Sequence, residues 1–410
     1  MIELRPDQRL TVEKGKAILH RYNLLYLAAQ VRTGKTLMSM TIAKELGFRR
    51  ILFITKKMAI SSIKSDYATK LGHLFQTFEV TNFEQVPKLF PQYDLIIIDE
   101  ATSISKFPKP GVYCKAIKKL AGKTPVILMS GTPTAESYSQ IFHQFWVSYY
   151  SPFVYTNFYA WAKDYVNVKK KFFKGLQFAD YSDANEAKIK EVLQHYMVTL
   201  SQEEAGFKSA VDEEIVWVDT DEKMYKLMGI LKRDKVYTMK NGQHIVADTP
   251  VKMQSLFHQI SSGTVITEEG HRHILDETKA LFVKQKFAGK KIAIFYKFQA
   301  EGDLLRKIFP LHTDVTELFR DRDDVTFICQ IMSGRMGVNL ATAYALIMYN
   351  IDFSATSYWQ ARARMQEHAR TIASKLFWFF SKNGLEQHVY KAVCNKKDFT
   401  LSHFRKTYGL

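Results

Sequence analysis

The stretch Asn23-Leu-Leu-Tyr-Leu-Ala28, continued by Ala29-Gln-Val-Arg-Thr-Gly-Lys-Thr36, decides how this chain is read. Its first part is a short continuous apolar run, the pattern of a strand buried on both faces. Its second part puts a glycine in a turn, and Lys35 then opens a helical pattern that runs to about Leu46 and stops at Gly47. Strand, glycine turn and helix in that order are the setting of a phosphate-binding loop. Backbone N–H groups of such a loop wrap around phosphates, Lys35 adds a positive charge near the β- and γ-phosphates, and the Thr36 hydroxyl is placed for Mg²⁺. Ala29 stands where the GxxxxGK[ST] pattern has its first glycine, so the match is imperfect at one position.

Further along, Asp94-Leu-Ile-Ile-Ile-Asp99-Glu100 ends an apolar strand in two carboxylates. Charge at the end of a buried strand is costly unless it meets a cation. Asp99 therefore fits an Mg²⁺ partner, and Glu100 fits a group that orients and deprotonates an attacking water. A solvated helix cap is the plainer reading of an Asp-Glu pair, but the upstream loop tips the balance toward nucleotide hydrolysis. Other strands are predicted at Ile51-Leu-Phe-Ile-Thr55 and Pro125 to Ser130, with an amphipathic stretch from Ala59 to Tyr67.

From about Trp146 to Tyr196 the sequence turns aromatic, basic and helix-like, including Lys169-Lys-Lys-Phe-Phe-Lys174. A strand at Glu214 to Asp219 and helices near 222–232 and 251–260 follow, before a break at Ser261-Ser-Gly263. The βα rhythm then resumes with strands at Lys291 to Tyr296, Val325 to Cys329 and Tyr344 to Tyr349, and a helix near 300–308. The fold class is α/β: two parallel-sheet lobes joined by a largely helical insertion, divided as 1–145, 146–270 and 271–410.

The chain of 410 residues carries 58 Lys and Arg against 41 Asp and Glu, a net charge of +17, which favours a polyanionic partner and nucleic acid first. Residues 361–410 alone hold ten Lys and Arg against three Asp and Glu. A composition 46% hydrophobic and 24% charged is that of a globular chain and argues against disorder. Apolar runs such as Leu95 to Ile98 and Leu376 to Phe380 fall far short of the roughly 20 residues a spanning helix needs, so no membrane partner is expected. The start lacks a signal-peptide pattern, and Cys114, Cys329 and Cys394 form neither a disulfide framework nor a zinc pattern. An intracellular, cytoplasmic protein with buried cysteines is the expectation. His271-Arg-His273 is too short for a metal site, and Trp161, Trp217 and Trp378 read as core residues. The run Lys169 to Lys174 reads as a solvated helix face or, given Phe172 and Phe173, as a DNA contact.

Six ordered motifs carry a resemblance. They are Leu4-Arg-Pro-Asp-Gln8, the Gly34-Lys-Thr36 loop, Asp99-Glu-Ala-Thr102, Ser130-Gly-Thr-Pro133, Ser333-Gly-Arg-Met-Gly-Val-Asn-Leu340 and Gln360-Ala-Arg-Ala-Arg364. In order and setting they resemble superfamily 2 helicases of the Swi/Snf-type branch, and its compact phage-encoded members above all. A tail similar to "GTIE" is present as Gly384-Leu-Glu386. The resemblance spans nearly the whole chain and implies two RecA-like lobes that use ATP and Mg²⁺. It implies that Arg5 and Gln8 serve the adenine, and that Ala29, Thr33, Gly34, Lys35 and Thr36 hold phosphates, with Thr36 and Asp99 on the metal. Ser130, Gly131 and Thr132 would couple the nucleotide to the second lobe. Gly337 and Asn339 would line the nucleotide cleft, and Gln360 and Arg364 would act as closure sensor and arginine finger.

DNA is the partner the resemblance implies, as forks, branches or junctions, alongside replication or recombination proteins. A monomer is expected, in the host cytoplasm if the chain is phage-encoded. Lys56, Lys57, Thr81, Asn82, Ser333 and Arg335, read as loop residues after strands, are the candidate nucleic-acid contacts. One departure stands out: Glu367 occupies the place of the family's second arginine, so either Arg362 or Arg370 supplies the missing charge, or one finger suffices, or hydrolysis is impaired. The expected activity is an ATP-dependent helicase or translocase that remodels or unwinds branched or partly duplex DNA. Duplex translocation without strand separation, and binding without hydrolysis, are the alternatives.

Overall fold

The computed structural model of the protein describes residues 3–72, 74–134, 137–173, 176–207, 211–334, 338, 340–365, 374–382 and 384–394. The chain forms two compact units, Met1–Phe207 and Lys208–Leu410. Each is built on a six-stranded parallel sheet.

In the first unit, β1 (Leu24–Ala29), β2 (Arg50–Thr55), β3 (Thr77–Asn82), β4 (Leu95–Ile98) and β5 (Val126–Met129) come from the expected rhythm. A hairpin of β6 (Lys169–Phe173) and β7 (Leu176–Asp180) intervenes, and β8 (Met197–Leu200) then returns to the sheet. The order is β3-β2-β4-β5-β1-β8, with every neighbouring pair parallel. Alternate residues of the continuous apolar runs go to opposite faces. Leu24, Tyr26, Ile96, Ile98, Val126 and Leu128 pack in one core layer. Leu25, Leu27, Leu95, Ile97, Ile127 and Met129 pack in the other. Each such side chain, once buried, contributes about 1.5 to 3 kcal/mol, so both layers reinforce the strand assignment.

The second unit begins with β9 (Val211–Val218) and carries two small hairpins, β10 (Val236–Thr238) with β11 (His244–Val246) and β12 (Thr264–Ile266) with β13 (Arg272–Ile274). Its main sheet adds β14 (Ile292–Tyr296), β15 (His312–Thr313), β16 (Thr326–Gln330), β17 (Ala345–Met348) and β18 (Ser374–Ser381) in the order β15-β16-β14-β17-β18-β9, again all parallel. Residues 146–270 contain helices, Phe158–Tyr165, Glu186–Leu193, Glu222–Asp234 and Pro250–Ser261, but they also supply β8 to the first sheet and β9 to the second.

Three local readings change. Lys169 to Phe173 is a strand, because Lys169–Asp180 register and pairs such as Lys171–Asp180 (2.6 Å) satisfy a two-stranded ribbon rather than a helix face. Trp217 is 44% exposed at the edge strand β9, whereas Trp161 and Trp378 are core residues as expected. Cys394 is half-buried, while Cys114 and Cys329 are buried. Among the described residues no helix is long and apolar enough to cross a membrane.

The second unit buries an ion pair. Lys279 Nζ lies 3.1 Å from Glu386 Oε1, with both side chains out of solvent, and 4.8 Å from the Tyr349 ring centroid. Gly384 makes room for it, since a Cβ there would fall 2.1 Å from Glu386 Oε2. Leu385 N donates to Ser261 Oγ at 3.3 Å, which seats the Gly384-Leu385-Glu386 segment on the end of helix Pro250–Ser261. Losing one partner strands the other charge in the core. Lys279→Met is expected to lower the unfolding free energy of the second unit by about 3 to 5 kcal/mol in urea titrations. Adding Glu386→Leu should restore most of that loss; no recovery would contradict the role assigned to the pair.

Candidate functional site

The loop between β1 and helix Lys35–Glu45 is built around two left-handed residues, Arg32 (φ 69°) and Gly34 (φ 98°). Gly34 is required twice over, for its φ and because a Cβ would lie 2.3 Å from Gln8 Nε2. Gln8 belongs to helix Pro6–Tyr22, and its amide is used at both ends. Its Oε1 accepts from Arg5 N at 3.1 Å, and its Nε2 donates to Thr33 O at 2.9 Å. Arg5 Nη2 donates to the same carbonyl at 3.1 Å while its guanidinium pairs with Asp7 at 3.0 Å. Thr33, fully buried, donates its hydroxyl to Gln30 O at 2.8 Å. Arg5, Gln8, Ala29, Thr33, Gly34, Lys35 and Thr36 are thus brought together.

The opposite side of the loop is held by residues that the sequence reading did not single out. Gln30 N donates to Leu200 O at 2.8 Å, so β8 continues its pairing into the loop. Gln202 N donates to Gln30 Oε1 at 2.8 Å, and Gln202 Nε2 donates to Val31 O at 2.9 Å. No sequence pattern marks a glutamine so distant in the chain.

Lys35 Nζ donates to Ala29 O at 2.8 Å and Gln30 O at 3.2 Å. These are neutral acceptors that an anionic phosphate would outcompete. Asp99 follows β4, with its N donating to Ile54 O at 2.8 Å and its Oδ2 accepting from Thr55 Oγ1 at 2.9 Å. Burial, then the neighbouring Glu100, pushes its carboxyl up to about 6, and Lys35 and the Thr55 hydroxyl only partly offset this. Glu100 adopts a left-handed backbone, φ 52°, which turns the chain sharply after the strand. A carboxylate that burial makes costly, beside a glycine cradle and a lysine, fits a nucleotide with a divalent cation. Among the described residues no cluster of three or more His, Cys, Asp or Glu could hold a metal alone. A cation held by Thr36, Asp99 and phosphate oxygens is the donor set that suits Mg²⁺.

Ser130, Gly131 and Thr132 follow β5, the strand between β1 and β4. A Cβ on Gly131 would sit 3.5 Å from Val31 N, so the segment lies against the phosphate loop. Thr132 N donates to Ser130 Oγ at 3.1 Å. Gln144 ties the next residue down, donating to Pro133 O at 2.8 Å and accepting from Tyr26 OH at 2.6 Å. The buried Thr132 hydroxyl has no hydrogen-bond partner among the described residues.

Lys56 and Lys57 follow β2, the first half-buried and the second exposed. Thr81 and Asn82 are not loop residues: they are the last two positions of β3, each 7% exposed, because β3 pairs with β2 through Thr55 and Asn82. Asn82 Oδ1 accepts from Gln85 N at 3.1 Å. All four lie at the sheet edge that also carries Asp99.

In the second unit, Ser333 sits half-buried on the short helix Ile331–Gly334. Arg335, Gly337, Asn339, Glu367 and Arg370 lie outside the described residues. Gln360 and Arg364 are 4% and 7% exposed, on helix Ala355–Arg362 and the turn after it. Arg362 ion-pairs with Glu213, which also accepts from Tyr358 OH (3.0 Å), Trp378 Nε1 (3.1 Å) and Tyr390 OH (3.3 Å). Arg362 is thus engaged with Glu213 inside the second unit.

No family model matches the chain. It is 22% identical over 210 residues to the ATP-dependent helicase fft2 of Schizosaccharomyces pombe, covering 44% of this chain and 16% of that protein. It is 23% identical over 152 residues to the human chromatin-remodeling ATPase INO80, covering 33% of this chain and 10% of that protein. The relationship is to the Swi/Snf-type branch of superfamily 2. The chain spans only a small part of these two relatives. A solved Sulfolobus solfataricus SWI2/SNF2 ATPase core in complex with dsDNA aligns over 99% of this chain and 92% of that one, at 16% identity and a TM-score of 0.43.

Asp99 makes the site a stability liability with a defined pH window. Below its ordinary value of 3.8 the carboxyl is protonated in the folded and unfolded chain alike. Between 3.8 and about 6 the unfolded chain ionises first, so folded stability falls as pH rises. Above that window the penalty is complete, up to about 3 kcal/mol. Asp99→Asn in EDTA is expected to melt higher than the parent near neutral pH and to lose that advantage as the pH falls to about 4. A stability difference independent of pH would contradict the assignment.

Proposed function

We propose that this chain is an ATP-dependent DNA translocase whose ATP hydrolysis is stimulated by DNA. The observation that carries the reading is the convergence of Lys35, Thr36, Asp99 and Glu100 at one sheet edge, with Asp99 half-buried and its carboxyl raised to about 6. The related proteins, named an ATP-dependent helicase and a chromatin-remodeling ATPase, and the net charge of +17 favour DNA as the polyanion moved.

In this reading Lys35 exchanges the carbonyls of Ala29 and Gln30 for phosphate oxygens, while the amides of Thr33 to Thr36 cradle the same group. Thr36 and Asp99 hold Mg²⁺, which supplies charge neutralisation on the phosphates. Glu100 orients the attacking water and takes its proton. Arg5 and Gln8 set the position of the loop and serve the base. A cavity of about 720 Å³ lined by Leu4, Arg9, Leu37, Thr41 and Leu71 gives apolar surface close by. Ser130, Gly131 and Thr132 relay the state of the nucleotide, and the second unit contributes Gln360 and Arg364, with Gly337 and Asn339. Lys56, Lys57, Ser333 and Arg335 grip the DNA backbone, and Thr81 and Asn82 act through the strand ends they form. Such contacts are indifferent to sequence and sensitive to salt.

The finer activity proposed is remodelling or unwinding of forked and branched DNA. The chromatin-remodeling relative favours a second reading, duplex translocation without strand separation. Strand-displacement and triplex-displacement assays side by side separate the two.

ATP turnover is expected to rise on adding single-stranded, duplex or forked DNA, and absence of stimulation by all three would sink the motor reading. Lys35→Ala should abolish turnover with DNA binding retained. Arg364→Ala should cut turnover by about 100-fold or more, given that such arginines contribute 10³ to 10⁵ in related systems, while nucleotide binding persists.

A further inference from the structure

Helix Glu222–Asp234 buries Met224, Leu227, Met228 and Leu231, the regular stripe of a helix packed on a core. Ile230 is apolar but off that stripe and only half-buried. It opens onto a cavity of about 540 Å³ within the second unit, between this helix and the β10–β11 hairpin. The walls are Met224, Leu227 and Ile230 on one side and Tyr237, Met239 and Ile245 on the other, with Leu275 completing the lining. The lining also includes Lys223, Lys226 and Lys240 and no carboxylate.

The hairpin is fixed in place. Met239 N donates to Gln243 O at 2.8 Å, closing its turn, and Ala247 N donates to Lys235 O at 2.6 Å, tying its far end to the helix C-terminus. His273 Nε2 meets Gln243 Oε1 at 2.5 Å, so the histidine of the His271-Arg-His273 run serves to anchor this hairpin. The groove is therefore held from both sides.

From this geometry we propose that the groove is a docking site for an amphipathic acidic peptide segment of a partner protein, taken as a helix. Methionine-rich apolar walls accept varied side chains spaced i, i+3 or i+4, and i+7 along a helix. The lysines select for carboxylates on the flanks of that helix. Lys223 and Lys226 hold only exposed pairs, with Asp221 at 3.1 Å and Glu222 at 3.2 Å, which are cheaply exchanged. Lys240 pairs with no carboxylate among the described residues. The chain's own C-terminal segment is the wrong sign for the site, since residues 395–410 hold four Lys and Arg against one Asp. A nucleic-acid strand could pair with the lysines but has no aliphatic side chains to fill the apolar walls. The proposal does not depend on the nucleotide site.

The test is fluorescence anisotropy on the full chain with a labelled helical peptide of roughly sixteen residues, long enough to hold two turns of anchor positions. It carries leucines at the helical spacing and glutamates elsewhere, and a scrambled peptide of equal composition is the control. Saturable binding at least tenfold tighter than to the scrambled peptide is expected. Ile230→Glu, at a half-buried position, and the triple reversal Lys223→Glu, Lys226→Glu, Lys240→Glu, at exposed ones, should each weaken it tenfold or more. DNA-stimulated ATP turnover should stay at the parent level in both variants. Equal binding of both peptides, or unchanged binding by Ile230→Glu, would overturn the proposal. So would competition by duplex DNA coupled to weaker DNA binding by the triple variant, which would assign the face to nucleic acid.

Discussion

The carbonyl of Thr33 takes hydrogen bonds from Gln8 Nε2 and Arg5 Nη2, and the shape of the loop after β1 depends on that grip. The loop carries left-handed residues on both sides of Thr33, Arg32 and Gly34, a backbone that its surroundings must hold. Here it is clasped from one side by the start of helix Pro6–Tyr22 and from the other by Gln202 and the end of β8. The parallel sheet then brings Asp99 and Ser130 to the same edge, because β5 pairs with β1 and β4 pairs with β5, all in parallel. The apolar layers of the sheet thus position groups that never enter them.

The two units solve buried charge differently. In the second, Lys279 and Glu386 neutralise each other, and Glu213 gathers Arg362, Tyr358, Trp378 and Tyr390. Those charges are met within the fold and act as structure, although Glu386 Oε2 has no hydrogen-bond partner among the described residues. In the first, the Thr55 hydroxyl, the Glu100 backbone and the Lys35 charge only partly offset the cost of ionising Asp99, which pays in stability for remaining available. A carboxylate left only partly compensated beside a glycine turn and a lysine is the difference between a structural ion pair and a candidate ligand site.

Much of this was legible in the sequence for a physical reason. Strands β1, β2, β4 and β5 are continuous apolar runs because both faces are covered, and the loop and the Asp99-Glu100 pair sit directly after two of them. β3 was not legible, since Thr77-Phe-Glu-Val-Thr-Asn82 mixes polar residues into an edge strand. Thr81 and Asn82 were consequently read as loop. The lysines of β6 masked a strand whose charges are met by Asp180 and Asp183. Gln202 was invisible because its partners are backbone and amide atoms of a loop far away in the chain. Assignment of Arg362 to Glu213 needed the second sheet, where β9 brings Glu213 beside β18.

The most direct test of the central claim is a calorimetric titration of Mg²⁺ and a non-hydrolysable ATP analogue into the full chain and into its Gln8→Ala form. The parent should bind one nucleotide. Gln8→Ala, which removes one of the two donors to the Thr33 carbonyl while leaving Lys35, Thr36 and Asp99 in the sequence, should bind at least tenfold more weakly with unchanged secondary structure. Equal affinity in the two proteins would contradict the claim that the clasp on Thr33 builds the phosphate site.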